Sequence, residues 1–354
     1  MSDKKRILTG DTPTGRLHLG HWVGSIENRV KLQHDYECFF IIANLHAFTT
    51  RADQPEAIRQ STLDIFLDYL GAGIDPTVST IFIQSEIPAI SELTFYFSML
   101  TPYSRLMRNP TIKDEIRDKG LGDNYSFGFL LYPIGQVADI LAFRPELVPV
   151  GEDQIPHLEM TREVARRFNQ LYCGVDSHTD DDNYLKAGGL FPIIKPLVGK
   201  TGRLVGLNGP DKEGRLLKMS KSLNNAIYLH DDPDTIKKKV MSMYTDPNRL
   251  RPTDKGTIEN NPLWIFHDTF NTDTAWIEDA KDRYRNGQIG DVECKRKLID
   301  VLVELVEPMQ LRREDYAKDM GEVMRILKAH NARANDVANE TLALAKKAMK
   351  QDYT

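Results

Sequence analysis

A continuous apolar run at residues 37–43 (ECFFIIA) limits the fold more than any other part of the chain. A strand with one face in solvent alternates apolar and polar residues, whereas a strand buried on both faces is apolar throughout. Strands of the second kind occur in parallel sheets that carry helices on both sides. The run therefore predicts an interior strand of a parallel sheet.

Strand and helix patterns alternate around this run. Residues 6–9 and 79–84 are further short apolar runs, and residues 55–70 carry apolar side chains at helical spacing before Gly71 and Gly73 end the pattern. Parallel strands need a long crossover between them, which is usually a helix. We therefore predict an α/β fold with a doubly wound parallel sheet, in which ligands bind at the carboxyl ends of the strands.

The stretch at residues 11–21 (DTPTGRLHLGH) joins the first predicted strand to a helix that begins near Trp22. Its glycines allow close approach of the backbone, a helix start offers unpaired N–H groups, and His18 and His21 lie one turn apart. These features predict a phosphate-binding site. From these residues alone a structural role stays open, in which His18 caps the loop and His21 is an exposed residue at the helix start.

A second motif, KMSKS at residues 218–222, follows a stretch rich in Gly and Pro. Two lysines that flank a serine on a mobile loop can close over a leaving pyrophosphate and spread its charge. The HLGH at residues 18–21 and this KMSKS, in this order, resemble the two signatures of class I aminoacyl-tRNA synthetases. The resemblance implies a Rossmann-like catalytic domain whose catalytic residues are His18, His21, Lys218 and Lys221.

An aspartate stands in the otherwise apolar helical run at residues 131–141 (LYPIGQVADIL). A carboxylate in such a run must be paired or face a cavity, because burying it alone is costly. Tyr132, Gln136 and Asp139 are spaced by four and three residues and therefore share one helix face. They predict either a ligand-binding face or an internal cluster of hydrogen-bonded side chains.

The string at residues 148–169 (VPVGEDQIPHLEMTREVARRFN) closely resembles the matching stretch of bacterial tryptophanyl-tRNA synthetases. In that family the Asp and Gln of GEDQ contact the ATP ribose and the amino acid. The resemblance implies an enzyme that activates L-tryptophan with ATP and Mg²⁺ and transfers it to tRNA(Trp). It implies an ATP site formed by Thr12, Pro13, Thr14, Gly20, His21, Lys113, Gly151, Glu152, Asp153, Leu204, Lys218, Met219, Ser220, Lys221 and Ser222. It implies an amino-acid site formed by Leu8, His46, Tyr132, Gln136, Asp139 and Gln154.

Three other functions fit parts of the sequence. The nearest is a tyrosyl-tRNA synthetase, because Tyr132, Gln136 and Asp139 also fit that branch. Against it, Leu8 stands where tyrosyl enzymes usually carry a hydroxyl. In addition, an indole has one N–H donor and no acceptor, so it is the natural partner of the Asp139 carboxylate. A small nucleotidyltransferase that uses HxGH alone does not need KMSKS. Two complete motifs also disfavour a non-catalytic paralogue that only binds RNA or protein.

The resemblance also implies a domain organisation. We expect residues 1–225 to form the catalytic domain, with a dimer-forming insertion at about residues 101–130 and a further strand at residues 202–205. Residues 226–354 have helical periodicity and resemble the helical anticodon-binding domain of the family. The expected assembly is a homodimer. The basic residues that could contact RNA phosphates in the helical domain are Lys237, Lys238, Lys239, Lys295, Arg296 and Lys297.

The composition sets further limits. The chain has 354 residues, of which 27% are charged and 41% hydrophobic, as in ordinary soluble proteins of two domains. It contains no membrane-spanning run, and its first six residues lead into a strand without an apolar signal region, so we expect a cytoplasmic protein. Cys38, Cys173 and Cys294 form neither a disulfide framework nor a metal-ligand spacing, and we expect no metal site. A net charge of −5 limits contact with RNA to a local basic face.

Overall fold

A sheet of five parallel strands forms the centre of the computed structural model, which describes residues 4–118, 122, 125–150, 155–198, 204–247, 249, 251 and 253–353. The strands are β1 (Arg6–Asp11), β2 (Glu37–Ile42), β3 (Ser79–Ile83), β4 (Leu147–Val150) and β5 (Lys195–Val198). Their order across the sheet is β3-β2-β1-β4-β5. All four neighbouring pairs are parallel. The order reverses at β1, which confirms the predicted doubly wound fold and places its ligand crevice beside that strand.

Helices surround the sheet and form the C-terminal part of the chain. The α-helices of the described residues are α1 (Leu19–His21), α2 (Glu27–Leu32), α3 (Asn44–Arg51), α4 (Pro55–Ala72), α5 (Pro88–Ser98), α6 (Tyr103–Leu106), α7 (Pro110–Asp118), α8 (Phe127–Leu141), α9 (Ile155–Cys173), α10 (Pro233–Met241), α11 (Pro262–Phe270), α12 (Thr274–Arg285), α13 (Asp291–Ala317) and α14 (Met320–Ala348). A π-helical turn at Trp22–Ile26 joins α1 to α2.

The β2 strand is buried on both faces, as its unbroken apolar run predicts. Its side chains alternate between two hydrophobic cores, one of which takes Cys38, Phe40 and Ile42 and the other Phe39 and Ile41. Gly10 on β1 is needed beside this strand because a Cβ there would lie 1.9 Å from the Ile41 carbonyl oxygen. The close approach of β1 and β2 therefore depends on glycine.

The predicted strand at residues 202–205 is wrong for its described part. Val205 forms only an isolated antiparallel bridge with Lys218, and Leu204 belongs to no strand. The fifth strand lies earlier, at β5, in a segment whose glycines and prolines predict a connection. Pro196 lies within this strand, and β5 tolerates it because β5 is at the edge of the sheet that the described residues form.

Short helices account for other differences from the sequence prediction. The predicted insertion at about residues 101–130 contains two short helices, α6 and α7, that were not predicted from the sequence. The helices α3 and α11 were not predicted either. Asn261 begins α11 by accepting a hydrogen bond from the Leu263 N–H (3.1 Å), with Pro262 at the first helical position. Such caps stabilise helices that are too short to show a clear period.

The described C-terminal part is helical from α10 onward, as predicted. One hydrophobic core extends through both parts of the chain, because the cluster that contains Ile7 of β1 also contains Trp264 of α11 and Leu298 of α13. The helical part therefore shares a core with the sheet, because α13 packs on α4 and α14 packs on β3. The division of the chain into domains at residue 225 stays a prediction.

Lys295 does not serve as one of the RNA-contacting residues that the sequence suggests. It is 3% exposed, and its Nζ donates hydrogen bonds to the Met241 and Met243 carbonyl oxygens (3.2 and 2.7 Å) and to Thr245 Oγ1 (2.9 Å). These bonds satisfy carbonyl groups at the end of α10 with a cation, which is favourable at a helix C-terminus. The role of Lys295 is therefore to hold α10 against α13.

Helix α14 covers the edge of the sheet formed by β3. His330 Nδ1 accepts a hydrogen bond from the Ile81 N–H (3.1 Å), and Asn331 Oδ1 accepts one from the Ile83 N–H (3.0 Å). An uncovered edge strand offers unpaired backbone groups to other chains, and these two side chains occupy them. Among the described residues, none of the helices combines the length and apolar character needed to cross a membrane.

Candidate active site

A cavity of about 420 Å³ opens at the carboxyl ends of β1, β2 and β4, where a doubly wound sheet binds ligands. Side chains from β1, α1, α3 and α8 line it. The predicted site residues among its lining are Leu8, Thr12, Gly20, His21, His46, Gln136, Asp139, Leu204 and Lys218. The structure therefore brings parts of HLGH, KMSKS and the α8 face to one place.

His18 and His21 form a reciprocal cap at the start of α1. His18 Nδ1 accepts a hydrogen bond from the Gly20 N–H (3.1 Å), and His21 Nδ1 accepts one from the His18 N–H (3.2 Å). Because each Nδ1 is an acceptor, a neutral ring carries its proton on Nε2. The capping role suggested by the sequence is thus present, and it fixes both rings as Nε2–H donors.

Both imidazoles are neutral at physiological pH. Burial lowers the pKa of His18 to about 3, with the nearby His21, Lys221 and Lys218 acting in the same direction. Burial lowers the pKa of His21 to about 4, although the Asp11 carboxylate opposes the shift. The two rings therefore offer N–H groups, and the positive charge of the site comes from its lysines.

The segment before α1 is attached to the helical part of the chain. The Leu19 N–H donates to the Ile227 carbonyl oxygen (2.9 Å), and the Leu229 N–H donates to the Leu17 carbonyl oxygen (3.1 Å). The Leu17 N–H donates to Asp68 Oδ2 (3.0 Å). This hydrogen bonding holds His18 between α4 and the chain that follows KMSKS.

Asp68 is fully buried and is paired from several sides. Its Oδ1 lies 2.7 Å from Arg313 Nε on α13 and 3.4 Å from His230 Nδ1. Burial alone would raise the pKa of Asp68, but the contacts with His230, the Leu17 N–H and Arg313 lower it below its usual value. Asp68 therefore stays ionised and links α13 to the segment that carries His18.

The KMSKS motif forms a loop that is hydrogen-bonded to residues on either side of it in the sequence, Leu204 and Asn225. The Met219 N–H donates to the Leu204 carbonyl oxygen (3.1 Å), and the Met219 side chain is buried in the core. The fully buried Asn225 accepts from the Ser220 N–H with Oδ1 (2.7 Å) and donates from Nδ2 to the Lys218 carbonyl oxygen (3.3 Å). Asn225 was not predicted as a site residue, and it supports the backbone of the motif.

Lys221 holds a buried ammonium group close to His18 and His21, beside the cavity. Its Nζ has no hydrogen-bond partner among the residues that the structure describes. The lysine side chain lies against Gly15, whose φ of 115° favours glycine. Burial lowers the pKa of Lys221 to about 8, although the Asp11 carboxylate opposes this shift. A buried cation without a partner is suited to receive an anion.

A second buried cation lies beneath the cavity. Arg29 donates from Nη1 to Asp11 Oδ2 and to Tyr69 Oη, both at 2.7 Å, and the Tyr69 hydroxyl donates to Asp11 Oδ2 (2.6 Å). Burial alone would raise the pKa of Asp11, but Arg29 and His21 hold it below its usual value. This group of three side chains was not predicted from the sequence. Its one signal is an arginine on the apolar stripe of the helix after HLGH.

The carboxylate of Asp139 on α8 is buried and is bonded to Gln84, which directly follows β3. Asp139 is 3% exposed, and both of its oxygens accept hydrogen bonds from Gln84 Nε2, at 2.8 Å to Oδ1 and 3.0 Å to Oδ2. His46 Nε2 lies 3.4 Å from Asp139 Oδ2. Burial raises the pKa of Asp139 to about 7, and the bond from Gln84 opposes this shift. Asp139 is therefore both an internally bonded residue and part of the cavity wall.

Other predicted residues lie at the margin of the cavity or outside it. Tyr132 packs its ring against His46 at 6.0 Å between centroids. Lys113 is exposed on α7 and does not line the cavity, and its proposed ATP contact stays a prediction. Gly151, Glu152, Asp153 and Gln154 lie outside the described residues. The other predicted residues of HLGH, KMSKS and the segment before HLGH that do not line the cavity are Pro13, Thr14, His18, Met219, Ser220, Lys221 and Ser222.

Comparisons with known proteins agree with this geometry. The sequence model of the tRNA synthetases class I (W and Y) matches residues 2–307. The chain belongs to this family. It is 48% identical over 354 residues to the tryptophan–tRNA ligase of Streptococcus pyogenes, with 99% of each chain covered. The corresponding protein of Streptococcus pneumoniae is 47% identical over 354 residues, also with 99% of each covered.

A solved structure is also similar over nearly the whole chain. It is the tryptophanyl-tRNA synthetase of Campylobacter jejuni in complex with ADP and tryptophan. The TM-score is 0.81 at 29% sequence identity, and the match covers 98% of this chain and 99% of the other. The shared fold therefore extends through the helical C-terminal part.

The position of Lys221 predicts its effect on the rate of ATP–pyrophosphate exchange. We expect Lys221→Ala to lower kcat/KM by about 10²–10³-fold, because one buried donor to developing phosphate charge has an effect of this size. In the wild type kcat/KM should fall as the pH rises above about 8, where Lys221 loses its proton. Lys221→Arg should move this decrease to higher pH because arginine stays protonated.

The exposed Lys212 provides the control for this experiment. Lys212→Arg should leave both the rate and the pH profile unchanged. A Lys221→Arg profile with the same alkaline limb as the wild type would show that another group causes the decrease.

Proposed function

We propose that this chain activates L-tryptophan with ATP, releasing pyrophosphate, and transfers the tryptophanyl group to tRNA(Trp). One observation carries the proposal. HLGH and KMSKS, which are almost two hundred residues apart in the sequence, meet at one cavity that also contains the buried carboxylate of Asp139. The nucleotide and the amino acid can therefore bind side by side. The relatives named as tryptophan–tRNA ligases at 48% and 47% identity support the same reaction.

The residues around the cavity supply positioning and charge. The amino-acid carboxylate attacks the α-phosphorus in line, the bond to the β-phosphate oxygen breaks, and pyrophosphate leaves with that electron pair. No enzyme nucleophile is needed. In our proposal His18 and His21 donate Nε2–H bonds to phosphate oxygens, while Lys218 and Lys221 balance the charge that develops on the leaving group.

The second substrate in this proposal is MgATP. Among the described residues no group of three or more His, Cys, Asp or Glu side chains is placed to hold a metal ion. The Asp11 carboxylate at the cavity is already bonded to Arg29 and Tyr69. Mg²⁺ commonly binds through substrate phosphates and keeps several waters, and we infer that ATP brings the ion with it.

The amino-acid specificity is assigned to the wall formed by α8. An indole has one N–H donor and no acceptor, and the Asp139 carboxylate, when ionised, only accepts. Leu8 makes the facing wall apolar, which suits a large flat ring. The full-length relatives carry the tryptophan name, so the tyrosyl alternative is not favoured.

The proposed reaction also suggests a role for the helical C-terminal part and a cellular location. We propose that the helical part after residue 225 binds the anticodon region of tRNA, with the exposed Lys237, Lys238 and Arg296 available for phosphate contacts. A protein that charges tRNA for translation acts where proteins are made, and we propose a cytoplasmic location.

A homodimer is the proposed assembly. Four large apolar side chains on α5, α6, α8 and the turn after α5 are exposed, although core residues of this type are normally buried. They are Phe95 (64% exposed), Met99 (64%), Tyr103 (66%) and Phe127 (76%). A second copy of the chain would cover them, in agreement with the expected role of the segment at about residues 101–130.

Asp139 should determine the choice of amino acid. We expect the wild type to exchange pyrophosphate with tryptophan about 10⁴-fold more efficiently than with tyrosine, because a site built around a buried polar group rejects ligands that do not match it. Asp139→Ala should lose most of this preference while it stays folded by circular dichroism. The exposed Asp182→Ala is the matched control and should behave as the wild type. Equal or faster exchange with tyrosine in the wild type would overturn the assignment to tryptophan.

The assembly is tested by light scattering. The wild type should have twice the chain mass of 40.4 kDa at micromolar concentration. The double variant Phe95→Glu and Met99→Glu should scatter as a monomer, because it places charges in the apolar patch. Leu311→Glu changes an exposed apolar residue on α13 (56% exposed) and should remain a dimer. A monomeric wild type would contradict the proposal.

A further inference from the structure

Gln84 lies at the carboxyl end of β3 and contacts two helices of the site, α8 and α3. It is 2% exposed. Its Nε2 donates to both oxygens of Asp139 on α8 and lies 3.0 Å from His46 Nε2 on α3. Its Oε1 accepts a hydrogen bond from the Leu45 N–H at the start of α3 (3.0 Å). A single buried amide thus connects the carboxylate, the imidazole and the backbone behind the cavity.

The backbone of α3 fixes the orientation of this amide. The Leu45 N–H can only donate, so the Gln84 oxygen must face it, and the NH₂ group must face Asp139 and His46. The two N–H bonds of Gln84 are then directed at the carboxylate and at the imidazole. Rotation of the amide by 180° would bring its oxygen against the carboxylate and leave the Leu45 N–H without an acceptor.

We propose that Gln84 is a specificity-determining positioning residue, which keeps the Asp139 carboxylate ionised and oriented so that it accepts a hydrogen bond from an indole N–H. This proposal rests on the function proposed above. A hydrogen bond to the charged form of a carboxyl favours that form. Gln84 donates to both oxygens, and it does so from outside the cavity wall. It therefore stabilises the acceptor without being replaced by the ligand.

Gln84 and burial shift the pKa of Asp139 in opposite directions. Burial raises the pKa of Asp139, and the Gln84 bond is the contact that lowers it. Removing Gln84 should therefore protonate Asp139 at neutral pH, and a protonated carboxyl presents a donor where the indole also presents one. The titratable and charged groups that line the same cavity are His46, which also lies next to Asp139, and Asp11, His21, Arg29 and Lys218. Tyr132 packs on His46.

Gln84→Leu tests the proposal because it removes the donor and keeps the approximate volume. At pH 7 we expect kcat/KM for tryptophan in pyrophosphate exchange to fall about 10–100-fold, the usual effect of losing a hydrogen bond to a charged group. The ratio of variant to wild-type activity should rise toward one as the pH is raised, because Asp139 then ionises without help. The ratio also cancels the effect of Lys221 on both proteins.

Ser85→Ala is the matched control. Ser85 follows Gln84 in the same turn, and its exposed hydroxyl accepts a hydrogen bond from Asn44 Nδ2 (2.8 Å) without contacting Asp139. This variant should keep the wild-type rate and pH profile. A decrease in Ser85→Ala equal to that in Gln84→Leu would show that the turn as a whole, and not the amide, is responsible.

A tryptophan analogue with sulfur in place of the indole N–H provides a second measurement. The wild type should prefer tryptophan to β-(3-benzothienyl)alanine, and Gln84→Leu should reduce this preference about tenfold or more at pH 7. Equal losses with both amino acids at every pH would overturn the proposal, since Gln84 would then only support the fold. A wild type that activates no tryptophan would instead refute the proposed function itself.

Discussion

The hydrogen bonding of Leu17 and Leu19 is the constraint on which the active site depends. These two residues flank His18, and their backbone groups are bonded to residues 227–229 on one side and to Asp68 on the other. Residues 227–229 follow directly after the loop that Asn225 fastens, and Asp68 is paired with Arg313 on α13. The two signature motifs therefore share one support, and the helical part of the chain contributes to it.

The electrostatics of the site favour an incoming polyanion. His18 and His21 are neutral N–H donors whose tautomers are fixed by the turn between them. Lys221 carries its charge in a buried position without a hydrogen-bond partner among the described residues, and burial makes that charge costly. The Arg29 charge is balanced by Asp11. A bound phosphate would pair with the Lys221 ammonium and offset the cost of burying it. Lys221 therefore contributes most to binding where negative charge develops on the phosphates.

The sequence predicts those features that depend on local patterns. The apolar run at residues 37–43 is enough to predict a parallel sheet, as observed. The two short motifs predict a phosphate site, and parts of both line one cavity. The strand β5 was not predicted because its proline and the glycines and prolines around it are typical of a connection. A proline is accepted in this strand only because the strand lies at the edge of the sheet. The ATP contact of the exposed Lys113 stays a prediction, because Lys113 does not line the cavity.

The supporting residues could not be predicted, because each acts through a contact that is distant in the sequence. Asp68 meets Arg313 across 245 residues, and Gln84 meets Asp139 across 55. Asn225 is a polar residue without a distinguishing pattern. Gln84 had the best available signal, since it is a polar residue at the carboxyl end of a predicted strand, where parallel sheets place their ligands. Short motifs therefore suggest the chemistry of the site. Its geometry depends on contacts between residues that are distant in the sequence and that only the fold brings together.

The most direct measurement of the central claim is the identity of the adenylate formed in a single turnover. Purified wild-type protein at stoichiometric concentration is mixed with MgATP, inorganic pyrophosphatase and all twenty amino acids, quenched, and examined by mass spectrometry. One site in which HLGH, KMSKS and Asp139 act together predicts tryptophanyl-adenylate as the main product, at about one equivalent per active site. Tyrosyl-adenylate as the main product, or no adenylate from a folded protein, would contradict it.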